Sequence, residues 1–132
     1  MICLRVVIVD DEYYALQGLK IKLSEIKGVE LVGVYDDSTK FLSDVLMLNP
    51  DLILLDIEMP KKTGLEVLSE MRKLGVGAMV IFVTAYSHYQ EKISSTDALG
   101  FMLKPFTVEQ LHKAIANAKN KISENNENKK KE

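Results

Sequence analysis

The strongest constraint on this chain is the run Leu52-Ile53-Leu54-Leu55-Asp56, followed by Pro60 and Gly64. Four apolar residues are too few for a helix and too uniformly apolar for a strand with one wet face. The run reads as a strand buried on both faces, as in parallel sheets. Asp56 then stands where the strand leaves the sheet, and open α/β sheets hold their ligands at that carboxyl edge. Pro60 stops the strand from running on, and Gly64 is expected to permit a tight turn into the next helix. Asp56 is the residue expected to carry the chemistry.

The same pattern recurs along the chain. Leu4 to Val9 is an apolar, β-branched run broken by Arg5 and ending on Asp10-Asp11-Glu12. Leu16, Leu19, Leu23 and Ile26 follow at helical spacing, closing near Gly28. Glu30 to Tyr35 reads as a strand. Asp37 or Ser38 can cap a helix whose apolar face is Phe41, Leu42, Val45 and Leu46, stopped by Asn49-Pro50. After the Asp56 strand, Thr63 and Glu66 form a capping box for a helix with Leu65, Leu68 and Met71 inward, ended by Gly75 and Gly77. Met79 to Val83 is a fourth buried strand, ending on Thr84. Ser87 to Asp97 is polar and weakly periodic, a marginal helix with Tyr89 and Ile93 as its main apolar residues. Leu99 to Leu103 is a fifth strand, ending on Lys104-Pro105. Thr107 and Gln110 form another capping box, and Leu111, Ile115, Ala118 and Ile122 line the last helix.

Five strand-helix units in alternation imply an α/β fold, a five-stranded parallel sheet with helices on both faces. The doubly wound, flavodoxin-like strand order 2-1-3-4-5 is the expected solution. The 132 residues fit one domain, expected over 1–122. Residues 123–132 carry no apolar side chain, so a frayed or disordered tail, or the start of a linker to a further domain, is expected there. Lys129 to Lys131 suggests nucleic acid, but Glu127 and Glu132 beside it favour a solvated linker.

Composition narrows the functions. A net charge of −2 gives no basic field for nucleic acid or membrane binding by this domain. The longest apolar runs are about six residues, against roughly 20 for a bilayer span. Arg5 interrupts the N-terminal apolar segment, so no signal peptide is expected. The single cysteine, Cys3, cannot form an intramolecular disulfide, and a cytoplasmic location is expected.

Four strand ends then supply Asp10-Asp11, Asp56, Thr84 and Lys104 to one edge. Crowded carboxylates repel one another, which raises their pKa values unless a cation intervenes. A hard divalent ion, Mg²⁺ or Mn²⁺, answers that repulsion with oxygen ligands. A carboxylate can attack phosphorus to give an aspartyl phosphate, and a lysine ammonium and a threonine hydroxyl can stabilise the transferring group. Each residue alone has a duller reading: helix-start acids, a turn cap, a strand-end hydroxyl, the end of a strand. The weight lies in four separate strand ends bringing complementary chemistry.

Val9-Asp10-Asp11-Glu12, Asp56-Ile57-Glu58-Met59-Pro60 with Gly64, Val83-Thr84-Ala85 and Leu103-Lys104-Pro105-Phe106 resemble the receiver domain of two-component response regulators. The resemblance runs from about Arg5 to Ile122. It implies a signalling phospho-acceptor rather than an enzyme, taking phosphate onto Asp56 from a histidine kinase or phosphotransfer protein. It implies Mg²⁺ held by Asp11 and Asp56 directly, by Asp10 through water and by the main-chain carbonyl of Glu58. Lys104 would pair with the phosphoryl group ahead of a cis Lys104–Pro105 bond, and Thr84 and Phe101 would form the switch pair. The face built from Ser87–Asp97, the Leu99 strand and the last helix would change with the switch, and could form a homodimer. Phe82 to Tyr86 with Leu103 to Phe106 resembles receivers attached to DNA-binding domains of the LytTR or AraC type, so control of transcription is the expected output. A stand-alone receiver acting through protein contacts and a non-phosphorylated pseudo-receiver are the alternatives. A flavodoxin would need a hydroxyl- and Gly-rich loop where Asp10-Asp11-Glu12 stands, and a dehalogenase-like phosphatase would need Asp at position 58. Members of the receiver family often read Gly-Ala-x-Asp-Tyr where this chain has Asp97-Ala98-Leu99-Gly100-Phe101. Glu58 and Tyr86 border the path of a hydrolytic water in that family.

Overall fold

The five apolar runs all form strands in a computed structural model that describes residues 3–131. They are β1 (Leu4–Val9), β2 (Val29–Tyr35), β3 (Leu52–Asp56), β4 (Met79–Thr84) and β5 (Gly100–Leu103). Between and after them come α1 (Tyr13–Ser24), α2 (Ser38–Leu48), α3 (Gly64–Lys73), α4 (Gln90–Ser94) and α5 (Val108–Lys131). The strands are parallel and lie in the order β2-β1-β3-β4-β5, the expected flavodoxin-like winding.

The two-residue period of a strand divides the core. Val7, Val9, Ile53, Leu55, Val80 and Phe82 face one side, where Phe41 and Val45 of α2, Val67, Leu68 and Met71 of α3 and Ile93 of α4 cover them. Val6, Ile8, Leu52, Leu54, Ile81 and Val83 face the other, beneath Leu16, Leu19 and Leu23 of α1 and Leu111, Ile115 and Ala118 of α5. All five residues of β3 are buried. At about 1.5–3 kcal/mol for each large apolar side chain, this two-sided burial dominates the stability of the site's support. Arg5 breaks the β1 run for a local reason. Its guanidinium donates to the carbonyls of Leu48 (2.8 Å) and Asn49 (3.2 Å) at the end of α2.

Capping follows the sequence. Asp37 caps α2 through Thr39 N (2.8 Å), and Thr63 and Glu66 close a reciprocal box on α3. Thr107 N donates to Gln110 Oε1 (2.8 Å), and Gln110 N donates back to Thr107 Oγ1 (3.1 Å). Asn49, with φ of 47°, ends α2 in the left-handed region.

Three expectations need correction. Leu46 is 63% exposed, because only Phe41 and Val45 point squarely at the sheet and Leu46 lies a further 100° round the helix. The tight turn expected at Gly64 does not rest on a positive φ there. Its backbone donates to Ile57 O (2.7 Å), and a Cβ there would lie 2.3 Å from Asp56 O, so the requirement is close approach; Lys61, with φ of 69°, makes the turn. After Ile122 the chain continues as helix to Lys131 instead of fraying. Ser123 to Lys131 contains no Gly or Pro, and extending a formed helix carries no nucleation cost. Met1, Ile2 and Glu132, at the outer ends of the expected domain and tail, lie outside the described residues.

Candidate functional site

Strand register assembles the site. Val9 pairs with Leu55, so the next residues, Asp10 and Asp56, emerge side by side; Asp56 in turn pairs with Val83, one residue before Thr84. Thr84 pairs with Leu103, which sends Lys104 out one step later. The Lys104–Pro105 peptide is cis, and Lys104 N donates to Thr84 O (2.8 Å).

Asp10, Asp11 and Asp56 each offer a carboxylate oxygen, and these atoms lie within 4.8 Å of one another. Asp10 is 5% exposed and Asp56 7%, whereas Asp11 stands in solvent. At that separation, with an effective dielectric constant near 20, each pair of negative charges repels by about 3 kcal/mol. One cation offsets part of this. Lys104 Nζ lies 2.5 Å from Asp10 Oδ2 and 3.7 Å from Asp56 Oδ1. Asp10 is also fixed from below, its Oδ1 accepting from Glu12 N at 2.9 Å.

Burial pushes the Asp56 carboxyl up to about 7; the charges of Asp10 and Asp11 add to the rise and Lys104 opposes it. For Lys104, burial alone would lower the pKa. The hydrogen bond to Asp10 and the charges of Asp56, Asp10 and Glu12 outweigh burial and raise it. Lys104 is therefore a fixed positive charge, and Asp56 shares a proton near neutrality unless a second cation enters. Three convergent carboxylates with one ligand atom each fit a hard, oxygen-seeking divalent ion.

The remaining expected residues sit around this centre. Thr84 is 1% exposed, and its Oγ1 accepts from Tyr86 N at 3.1 Å. Phe101 is half-buried on β5 and packs against the core under α4. The Glu58 side chain is exposed and is not one of the three clustered carboxylates; its Oε1 accepts from the Tyr89 hydroxyl at 2.7 Å. That bond raises the Tyr89 phenol pKa, with smaller contributions from burial and the Glu58, Tyr86 and Asp56 charges. Sequence reasoning had Tyr89 only as an apolar anchor of a weak helix. No local pattern could link it to Glu58, 31 residues away. Among the described residues, no helix is long and apolar enough to cross a membrane.

An acidic pocket at the carboxyl edge of a doubly wound parallel sheet, with a lysine over it, defines a class of cation- and phosphate-handling α/β domains. The model of the response regulator receiver domain matches residues 6–116, and the chain belongs to that family. It is 34% identical over 108 residues to the sensory transduction protein LytT of Bacillus cereus, covering 82% of this chain and 44% of that protein. Over 113 residues it is 34% identical to the transcriptional regulatory protein BtsR of Escherichia coli, covering 86% and 47%. Among solved structures, the response regulator TrrA of Thermotoga maritima, in complex with Mg²⁺ and BeF, is 36% identical with a TM-score of 0.76, covering 86% of this chain and 97% of that one. The chain spans less than half the length of the two curated relatives. It is a receiver domain of the two-component signalling type. Receivers of this family bind Mg²⁺ at an acidic pocket and interact with histidine kinases or phosphotransfer proteins.

Proposed function

We propose that Asp56 is the phospho-acceptor of this receiver. The observation that carries the reading is the convergence of Asp10, Asp11 and Asp56 within 4.8 Å beside the Lys104 ammonium. Asp11 and Asp56, with Asp10 through water and the main-chain carbonyl of Glu58, would hold Mg²⁺ or Mn²⁺. Bound there, the ion would neutralise carboxylate and phosphoryl charge. An Asp56 oxygen attacks phosphorus while the bond from phosphorus to the donor breaks, the leaving group keeping the electron pair and taking a proton. Lys104 supplies positive charge to the transferring oxygens. It reaches them by leaving Asp10, whose carboxylate it now holds.

The Thr84 hydroxyl oxygen already accepts from Tyr86 N, so its proton is free to be donated to a phosphoryl oxygen. That new bond favours one of two states, with Phe101 following on β5. The face of α4, β5 and α5 carries the change, and a homodimer through it is part of the proposal. α4 has only five residues and one buried side chain, Ile93, which suits an element of low local stability. The donor is a cognate histidine kinase or phosphotransfer protein in the cytoplasm. Control of transcription through a DNA-binding domain outside residues 1–132 is part of the proposal; the relative BtsR, a transcriptional regulatory protein, supports the transcriptional part of it.

Amide NMR with Mg²⁺ and then beryllofluoride tests the reading. Mg²⁺ is expected to shift residues around Asp10, Asp11 and Asp56, and beryllofluoride to extend the change to Thr84, β5 and α4. Unchanged spectra at Thr84 and Phe101 after beryllofluoride would remove the switch. Spectra indifferent to both additions would remove the acceptor as well.

A further inference from the structure

Glu58 adds an exposed carboxylate two residues after Asp56, outside the cluster of three. Among the described residues, no Lys or Arg pairs with it; its partner is the Tyr89 hydroxyl, at 2.7 Å. The two ends of this bond differ in freedom. Tyr89 is half-buried and its ring packs on the core beside Ile93. The ring is further framed by His88, 4.4 Å between centroids, and by Lys92, whose Nζ lies 5.9 Å from the centroid. The phenol has only two side-chain torsions and its ring is seated on the core. Glu58 is a longer, solvated chain that a single hydrogen bond holds toward the turn (Ser87–Tyr89) leading into α4.

A phosphodonor is an anion, and it must approach a centre that already holds three carboxylates against one lysine. Within a Debye length of about 10 Å, one more mobile negative charge over Asp56 slows that approach. We propose that Tyr89 is a positioning residue for phosphoryl transfer: its hydroxyl draws the Glu58 carboxylate to the α4 side and keeps that charge off the donor's path to Asp56. The proposal rests on Asp56 being the phospho-acceptor. It also gives the mouth of the site a mechanical tie between the loop after β3 and the turn before α4, independent of Thr84.

The test compares phosphorylation rates in Mg²⁺ for the wild type, Tyr89→Phe, Glu58→Gln and the double variant. Two small donors are used: acetyl phosphate, a dianion near neutral pH, and phosphoramidate, whose protonated amine leaves it one net negative charge. Tyr89→Phe is expected to slow the reaction with acetyl phosphate by about three- to tenfold, the scale of one unit charge moved by several ångströms near a wet surface. It should slow phosphoramidate less, and added salt should shrink the difference. In the Glu58→Gln background the Tyr89 change should alter neither rate. Equal slowing of both donors, or slowing that persists without the Glu58 charge, would show a merely structural tyrosine and overturn the proposal. An unchanged Tyr89→Phe rate in a wild type that does phosphorylate would overturn it alone. A wild type that takes phosphate from neither donor, like an Asp56→Asn control, would overturn the acceptor reading and this proposal with it.

Discussion

Asp56 combines burial with two neighbouring carboxylates, and its pH behaviour follows from that. Its folded pKa of about 7 lies above the ordinary 3.8, so between those values the folded state holds a proton that the unfolded chain has lost. Stability contributed by that proton is present below about pH 4 and is lost as pH rises through 7. In chelator-treated protein, thermal or urea unfolding should therefore show Asp56→Asn gaining on the wild type between pH 5 and pH 8, by about 2 kcal/mol; the full shift would give more, but part of it falls below pH 5. Adding Mg²⁺ at pH 8 should favour the wild type and narrow the gap. Parallel pH curves for the two proteins would contradict a raised Asp56. The need for Gly64 was legible in the sequence, but its reason was not. A Cβ 2.3 Å from Asp56 O must displace backbone, so Gly64→Ala should cost about 3 kcal/mol by denaturant midpoint and disturb Asp56 itself.

The secondary-structure elements are where the sequence was most transparent. Buried strands announce themselves as short apolar runs, and both Thr-x-x-Glu/Gln boxes formed as expected, because these signals are local. Thr63→Ala should destabilise by about 1 kcal/mol in equilibrium unfolding, having lost the hydroxyl that caps Glu66 N. The weak periodicity of Ser87–Asp97 became a 3-10 turn and a five-residue helix. Amide exchange in α4 should be much faster than in β3, and equal protection would contradict its low local stability. Leu46 and the helical run beyond Ile122 were misread for different reasons. Apolar character alone does not say which side of a wide helical stripe meets the sheet, and low hydrophobicity does not stop a helix that is already nucleated.

At the scale of the molecule, alternation of strands and helices implied a parallel sheet covered on both faces; the order 2-1-3-4-5 belongs to the flavodoxin-like solution of that pattern, and it gathers Asp10, Asp56, Thr84 and Lys104. Asp10 and Lys104 are 94 residues apart and touch only because β1 and β5 end at the same edge. What stayed hidden were pairings between side chains far apart in sequence at the edges of the elements. Glu58 with Tyr89 and Arg72 with Asp97, a two-pronged pair at 2.7 and 3.0 Å, depend on loop paths that no periodicity encodes. The Arg72 pair joins α3 to the segment before β5, and as an exposed pair it is worth under about 1 kcal/mol. In the proposed function, the sheet presents one nucleophilic carboxylate, that of Asp56. Intact mass after incubation with acetyl phosphate, with and without Mg²⁺, measures it most directly. A Mg²⁺-dependent gain of one phosphoryl group is expected in the wild type and none in Asp56→Asn. No gain in the wild type with any divalent metal, or an equal gain in Asp56→Asn, would contradict it.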